Sequence, residues 1–97
     1  MVNYEKQAKS IIRKTLKKHH IDCNGKDFSY YRNQPIRVEN MGNQLISVTI
    51  NTEEICEDLD VAMEAICDLV NAFEKVFEVD SKFMYDFLFV NLEPKVI

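Results

Sequence analysis

Residues 51–79 constrain this chain more than any other stretch, because they read as one long amphipathic helix. At about 100° per residue, Ile55, Leu59, Ala62, Met63, Ile66, Leu69, Val70, Phe73 and Phe77 fall on one broad face. Glu53, Glu57, Asp60, Glu64 and Asp68 fall opposite, and no Gly or Pro interrupts the run. Asn51 is placed to cap it, with its side-chain oxygen accepting an orphan amide of the first turn. The acids Glu53, Glu54, Glu57 and Asp58 suit the positive end of the helix dipole. An apolar face this wide has to be covered by the rest of the chain.

The cover is expected from residues 28–50, which read as a three-stranded antiparallel meander. Phe28–Arg32 is its first strand, Ile36–Glu39 its second and Leu45–Ile50 its third. Turns fall at Asn33-Gln34-Pro35 and around Gly42. Alternation places Phe28, Tyr30, Ile36, Val38, Ile46, Val48 and Ile50 on one face. The other face is polar, and Tyr31 beside Arg37 there is the kind of pair found at interface hot spots. Before the meander, residues 3–20 form a first helix with Tyr4, Ala8, Ile11, Ile12, Leu16 and His19 on its apolar side. After the long helix, residues 82–92 read either as a short helix capped by Ser81 or as a strand over 86–92; the β-branched and aromatic content favours the strand. That strand has two apolar rows. Leu88, Val90 and Leu92 can enter the core, and Phe87 and Phe89 then need a neighbour, either the first helix or a second copy. The expected fold is a single α+β domain over residues 1–97: helix, three-stranded antiparallel meander, long helix, C-terminal strand, with both helices on one sheet face.

Composition narrows function. At 46% hydrophobic and 29% charged the chain belongs with globular proteins. No apolar run reaches the about 20 residues that cross a bilayer, and residues 1–6 do not resemble a signal peptide, so a cytoplasmic protein without membrane partners is expected. Cys23, Cys56 and Cys67 are odd in number and contain no Cys-x-x-Cys pair, which fits reduced thiols. His19, His20, Asp22 and Cys23 lack zinc spacing, and no phosphate loop or nucleophile elbow is present. No cofactor, metal or catalytic residue is assigned, and the expectation is a protein without enzymatic activity.

The net charge of −4 is unevenly spread. Residues 1–50 carry nine Lys or Arg against four Asp or Glu, and residues 51–97 carry three against twelve. One reading is internal neutralisation, with the basic first helix lying by the acidic long helix. The other is that a charged face meets a partner. Glu53, Glu57, Asp60, Glu64 and Asp68 stand about 5–6 Å apart along a helix, a spacing like that of phosphates on a nucleic-acid strand. Such a row could occupy the basic groove of a nucleic-acid-handling enzyme. The first helix offers a rival reading, a nucleic-acid-binding module using Lys14, Lys17 and Lys18, which the acidic balance disfavours. A homodimerising domain using Phe87 and Phe89 is a third.

Ala8-Lys9-Ser10-Ile11-Ile12-Arg13-Lys14-Thr15-Leu16-Lys17-Lys18, Phe28-Ser29, Ile36-Arg37-Val38 before Gly42, and Asp86-Phe87-Leu88-Phe89-Val90-Asn91 follow one another along most of the chain. This order resembles one of the small domains associated with large polyvalent proteins of phages and conjugative elements. The general plan is also similar to that of small phage inhibitors of CRISPR nucleases. The resemblance implies a mobile-element origin and a counter-defence role; it implies no catalytic residues. It makes the site expected here a partner-binding one, drawn from Glu53, Glu57, Asp60, Glu64, Asp68, Tyr31 and Arg37.

Overall fold

A computed structural model describes residues 3–21 and 35–95. The order is α1 (Tyr4–Lys18), β1 (Ile36–Asn40), β2 (Ile46–Asn51), α2 (Leu59–Glu74), β3 (Phe77–Met84) and β4 (Phe87–Pro94). The fold is α+β: two helices lie on one face of a four-stranded antiparallel sheet of order β1-β2-β4-β3.

The first helix forms where expected. Asn3 caps it by accepting the Lys6 amide, and Ala8, Ile12, Thr15 and Leu16 recur on its buried side. β1 and β2 pair in the register that sets Val38 against Val48, joined by a turn in which Gly42 takes φ 84°. A side chain at Gly42 would meet no neighbour, but its backbone conformation favours glycine. The strand expected over Phe28–Arg32 lies outside the described residues.

The long helix is shorter than its periodicity suggests at both ends. Asn51 is not its cap but the last residue of β2, where its amide donates to the Pro35 carbonyl and it pairs with Phe87. Its side-chain oxygen accepts the Glu53 amide within a turn. Asp58 is the cap instead, and one carboxylate oxygen accepts both the Asp60 and the Val61 amides. Ile55 and Phe77 are buried as expected, yet from the turn and from β3 rather than from the helix. Leu59, counted as core, is 57% exposed in the first turn.

The C-terminal strand is present, and a further strand precedes it. The helical period carries the long helix to Val79, and the C-terminal strand is expected to start at 86; residues 77–84 instead form β3, joined to β4 by the two-residue turn Tyr85-Asp86. β4 then inserts between β2 and β3, so Leu88, Val90 and Leu92 occupy the middle of the inner face. Ile46, Val48 and Ile50 flank them on β2, and Ala62, Ala65, Ile66, Leu69 and Phe73 of α2 complete the core with the buried side of α1. Phe77 is the hinge of this core. It stands edge-on to Phe73 at 6.3 Å and to Tyr4 at 6.0 Å between ring centroids, tying the start of α1 to the end of α2.

Two helix substitutions test the assignment of faces. Ile66→Asp buries an unpaired charge among Leu69, Phe73 and the sheet, and should abolish the cooperative melt. Glu64→Lys, on the exposed side, should change stability by no more than about 0.5 kcal/mol. Thermal melts followed by circular dichroism separate the two; equal behaviour would overturn the assignment.

Candidate docking site

The open face of the sheet follows from the register. Side chains alternate across a strand, so the buried rows on β1, β2 and β4 commit their neighbours to the side away from the helices. Reading across β1, β2, β4 and β3, one row is Arg37, Thr49, Phe89 and Lys82, and the next is Glu39, Ser47, Asn91 and Asp80. At the hairpin end Asn51, Phe87 and Met84 form a shorter row, and at the other end Glu78 stands opposite Glu93. The face therefore grades from aromatic at the turn to acidic at the far end.

Phe87 and Phe89 stack on this face with centroids 6.2 Å apart and 28° between planes. They are 38% and 36% exposed, and Met84 beside Phe87 is 48% exposed. Of the two neighbours open to this pair, the first helix is excluded, because α1 packs on the opposite face. Phe83, on the helix side opposite Leu88, is also half exposed, so helical cover stops short of the hairpin tip. Tyr85 at the tip is 95% exposed and holds φ at 56°. For a bulky side chain that backbone region is costly, and glycine is the usual occupant. The tip is nonetheless fixed: Thr52, buried, donates both its amide and its hydroxyl to the Asp86 carbonyl, each at 2.9 Å.

The acidic residues are distributed differently from the expected helical row. Only Asp60, Glu64 and Asp68 lie on α2; Glu53 sits in the turn after β2 and Glu57 precedes the cap. Five carboxylates instead crowd the approach to the helix, since Glu53, Glu54, Glu57, Asp58 and Asp60 are all exposed. This segment leaves the sheet at Thr52, the residue bound to Asp86, so the acids and the aromatic patch share one end of the sheet.

Asp68, the last of the expected row, faces α1. Its Oδ2 accepts from Lys18 Nζ at 3.0 Å and lies 2.9 Å from His19 Nε2. The hydrogen bond to His19, then that to Lys18, holds its carboxyl below the ordinary 3.8. Internal neutralisation is thus realised at Asp68, and Lys18 is engaged there rather than presented with Lys14 and Lys17. Arg37 lies half-buried on the open face, and Tyr31, its expected partner, lies outside the described residues.

Other chemistry is sparse among the described residues. Cys56 is half-buried and Cys67 exposed, both as free thiols; Cys23 lies outside the described residues. No three His, Cys, Asp or Glu side chains gather as a metal site, and no helix is long and apolar enough to cross a membrane. Depressions of about 290 Å³ beside Glu78, Asp80 and Glu93 and about 520 Å³ beside Tyr4, Gln44 and Glu93 are open to solvent.

The sequence named Phe87 and Phe89 but missed Phe83, Met84 and Tyr85, because their strand was not recognised. The period-two series Phe77, Val79, Ser81, Phe83 was the available signal. No protein-family model, curated protein or solved structure matches the chain.

Two measurements follow. Because the Asp68 carboxyl is held below its ordinary value in the folded state, the unfolded chain binds its proton more readily. The stability from this contact is complete above the ordinary value and is lost as pH falls through the lowered one. Denaturant midpoints of the wild type should therefore fall more steeply below about pH 4 than those of Asp68→Asn. At the tip, Tyr85→Gly should raise stability by roughly 0.5–1 kcal/mol, since it relieves the positive φ and removes no packed side chain.

Proposed function

We propose that this protein is a non-catalytic protein-binding module that docks a partner on the hairpin end of its open sheet face. The observation that carries the reading is the stacked Phe87–Phe89 pair, extended by Met84, on a face that neither helix covers. A folded protein gains nothing by wetting three large apolar side chains in a row, and exposed clusters of this kind mark interaction sites. The clamp of Thr52 on Asp86 supports it, because a surface held rigid before binding loses less entropy on docking.

The acidic segment at the same end specifies the partner further. Glu53, Glu54, Glu57, Asp58 and Asp60 favour a protein whose apolar recess is bordered by basic side chains. A nucleic-acid-handling enzyme presents such a surface, and inhibition by occupancy, in the counter-defence setting that the resemblance implies, is the consequence. The carboxylates steer and border the contact; they do not imitate a nucleic-acid backbone through five evenly spaced helical charges.

The two parts separate in one experiment, with the tagged protein used to capture its partner from cells that carry the gene. Phe87→Ser with Phe89→Ser should lose the captured protein at all salt concentrations while keeping its melting temperature. Glu57→Gln with Glu64→Gln should keep or slightly raise the melting temperature and weaken capture mainly at low salt. Retention of the same protein by the serine variant would overturn the proposal.

A further inference from the structure

β3 is an edge strand. Its eight residues pair with β4 on one side, and among the described residues nothing pairs with it on the other. The orientation of its backbone follows from the turn. A two-residue turn makes Met84 and Phe87 the closing hydrogen-bonded pair. The opposite side of the sheet agrees, since the Asn51 amide donates to Pro35, which sets Phe87 toward β3 rather than toward β2. By alternation Glu78, Asp80, Lys82 and Met84 direct their amides and carbonyls at β4. Val79, Ser81 and Phe83 direct theirs outward.

Such an edge invites another strand, and natural edges are blunted by charge. Here the charges are arranged so that one pairing accepts them. Consider the strand meeting its own copy in antiparallel fashion about a two-fold axis. Outward-facing residues must meet outward-facing residues, so the axis can pass through Val79, Asp80, Ser81, Lys82 or Phe83. Centring on Asp80 or on Lys82 sets that residue against itself. Centring on Val79 sets Glu78 against Asp80, and centring on Phe83 leaves Lys82 facing Met84. Centring on Ser81 sets Asp80 against Lys82 of the second copy, twice by symmetry, on the open face. On the helix side it sets Val79, half-buried, against Phe83, half exposed, again twice.

We infer that the β3 edge is a self-association surface whose occupant is a second copy of this chain, paired about Ser81 into a continuous eight-stranded sheet. In this register Val79–Phe83 and Ser81–Ser81 are the hydrogen-bonded pairs. Asp80–Lys82 is the non-hydrogen-bonded pair, in which the strands approach to about 4.5 Å between Cα atoms and side chains are closest. Opposite charges thus fall at the position where cross-strand side chains interact most strongly. The pairing uses the outward backbone groups of β3 and the Asp80 and Lys82 side chains, not the Phe87 and Phe89 rings, so this association does not depend on the docking proposed above.

The test is sedimentation of the purified protein from micromolar to about millimolar concentration, with circular dichroism to confirm that each variant folds. The wild type should show a concentration-dependent monomer–dimer equilibrium. Asp80→Lys alone and Lys82→Asp alone should each raise the dissociation constant by roughly tenfold or more, because each places like charges in both cross-strand pairs. Mixing the two single variants should restore association, now between unlike chains, since every pair is again of opposite sign. The combined Asp80→Lys, Lys82→Asp chain should recover self-association. A wild type that stays monomeric throughout, or a dimer indifferent to either single substitution, would overturn the proposal.

Discussion

The alternation of side chains along β4 is the constraint on which the rest of this structure depends. β4 lies between β2 and β3, so its inner row, Leu88, Val90 and Leu92, is the centre of the core. All three are buried completely or nearly so, and each is worth roughly 1.5–3 kcal/mol of transfer free energy. A strand that delivers these residues inward has no freedom in where it delivers Phe87 and Phe89. Slipping the register by one residue would exchange the rows and expose the whole inner set. The aromatic pair is therefore held outward by the core itself, on the face that neither described helix covers.

The elements legible in the sequence were those in which one signal dominated. α1 has an Asn cap followed by apolar residues at helical spacing, and β1 and β2 alternate without interruption. α2 was overextended because two signals coincided. Ile55 lies four residues before Leu59 and Phe77 four after Phe73, so both continue the helical stripe in phase although one is in a turn and the other in a strand. Asn51 and Asp58 are both competent caps. The contest is settled by tertiary hydrogen bonds that sequence does not display: Asn51 to Pro35 and Thr52 to Asp86 commit the backbone to the sheet before the helix can begin. The site was legible to the same degree. Phe87 and Phe89 were readable as a row without a neighbour, whereas Met84 and Tyr85 depend on recognising β3, and the crowding of acids at one end depends on knowing where α2 starts.

The charge asymmetry of the chain resolves into two uses. Asp68 joins the helices through His19 and Lys18, at the place where the end of α1 crosses the middle of α2. The acids nearer the start of α2 lie on the approach to the helix and on its exposed side, where Asp58 and Asp60 also meet the positive end of its dipole. Part of the acidic excess is thus explained by local helix chemistry and part by neutralisation between halves. What neither explains is the exposed remainder at Glu53, Glu54 and Glu57, directly after the residue that clamps the hairpin.

That clamp connects the two surfaces that remain open among the described residues. An isolated hairpin is marginally stable in water, and one carrying exposed aromatics at its tip would be expected to fray. Thr52 prevents this by binding the Asp86 carbonyl twice, so the turn is fixed from β2 rather than from within the hairpin. Holding the turn holds the register of β3 on β4, and the register decides both which side chains reach the open face and which backbone groups point outward from the edge. One pair of hydrogen bonds therefore governs two candidate contacts. The Phe87–Phe89 face needs the turn closed to keep its rings stacked, and the β3 edge needs it closed to keep Ser81 facing outward. The exposed Tyr85 ring adds no buried area, so what the clamped turn contributes is the register itself.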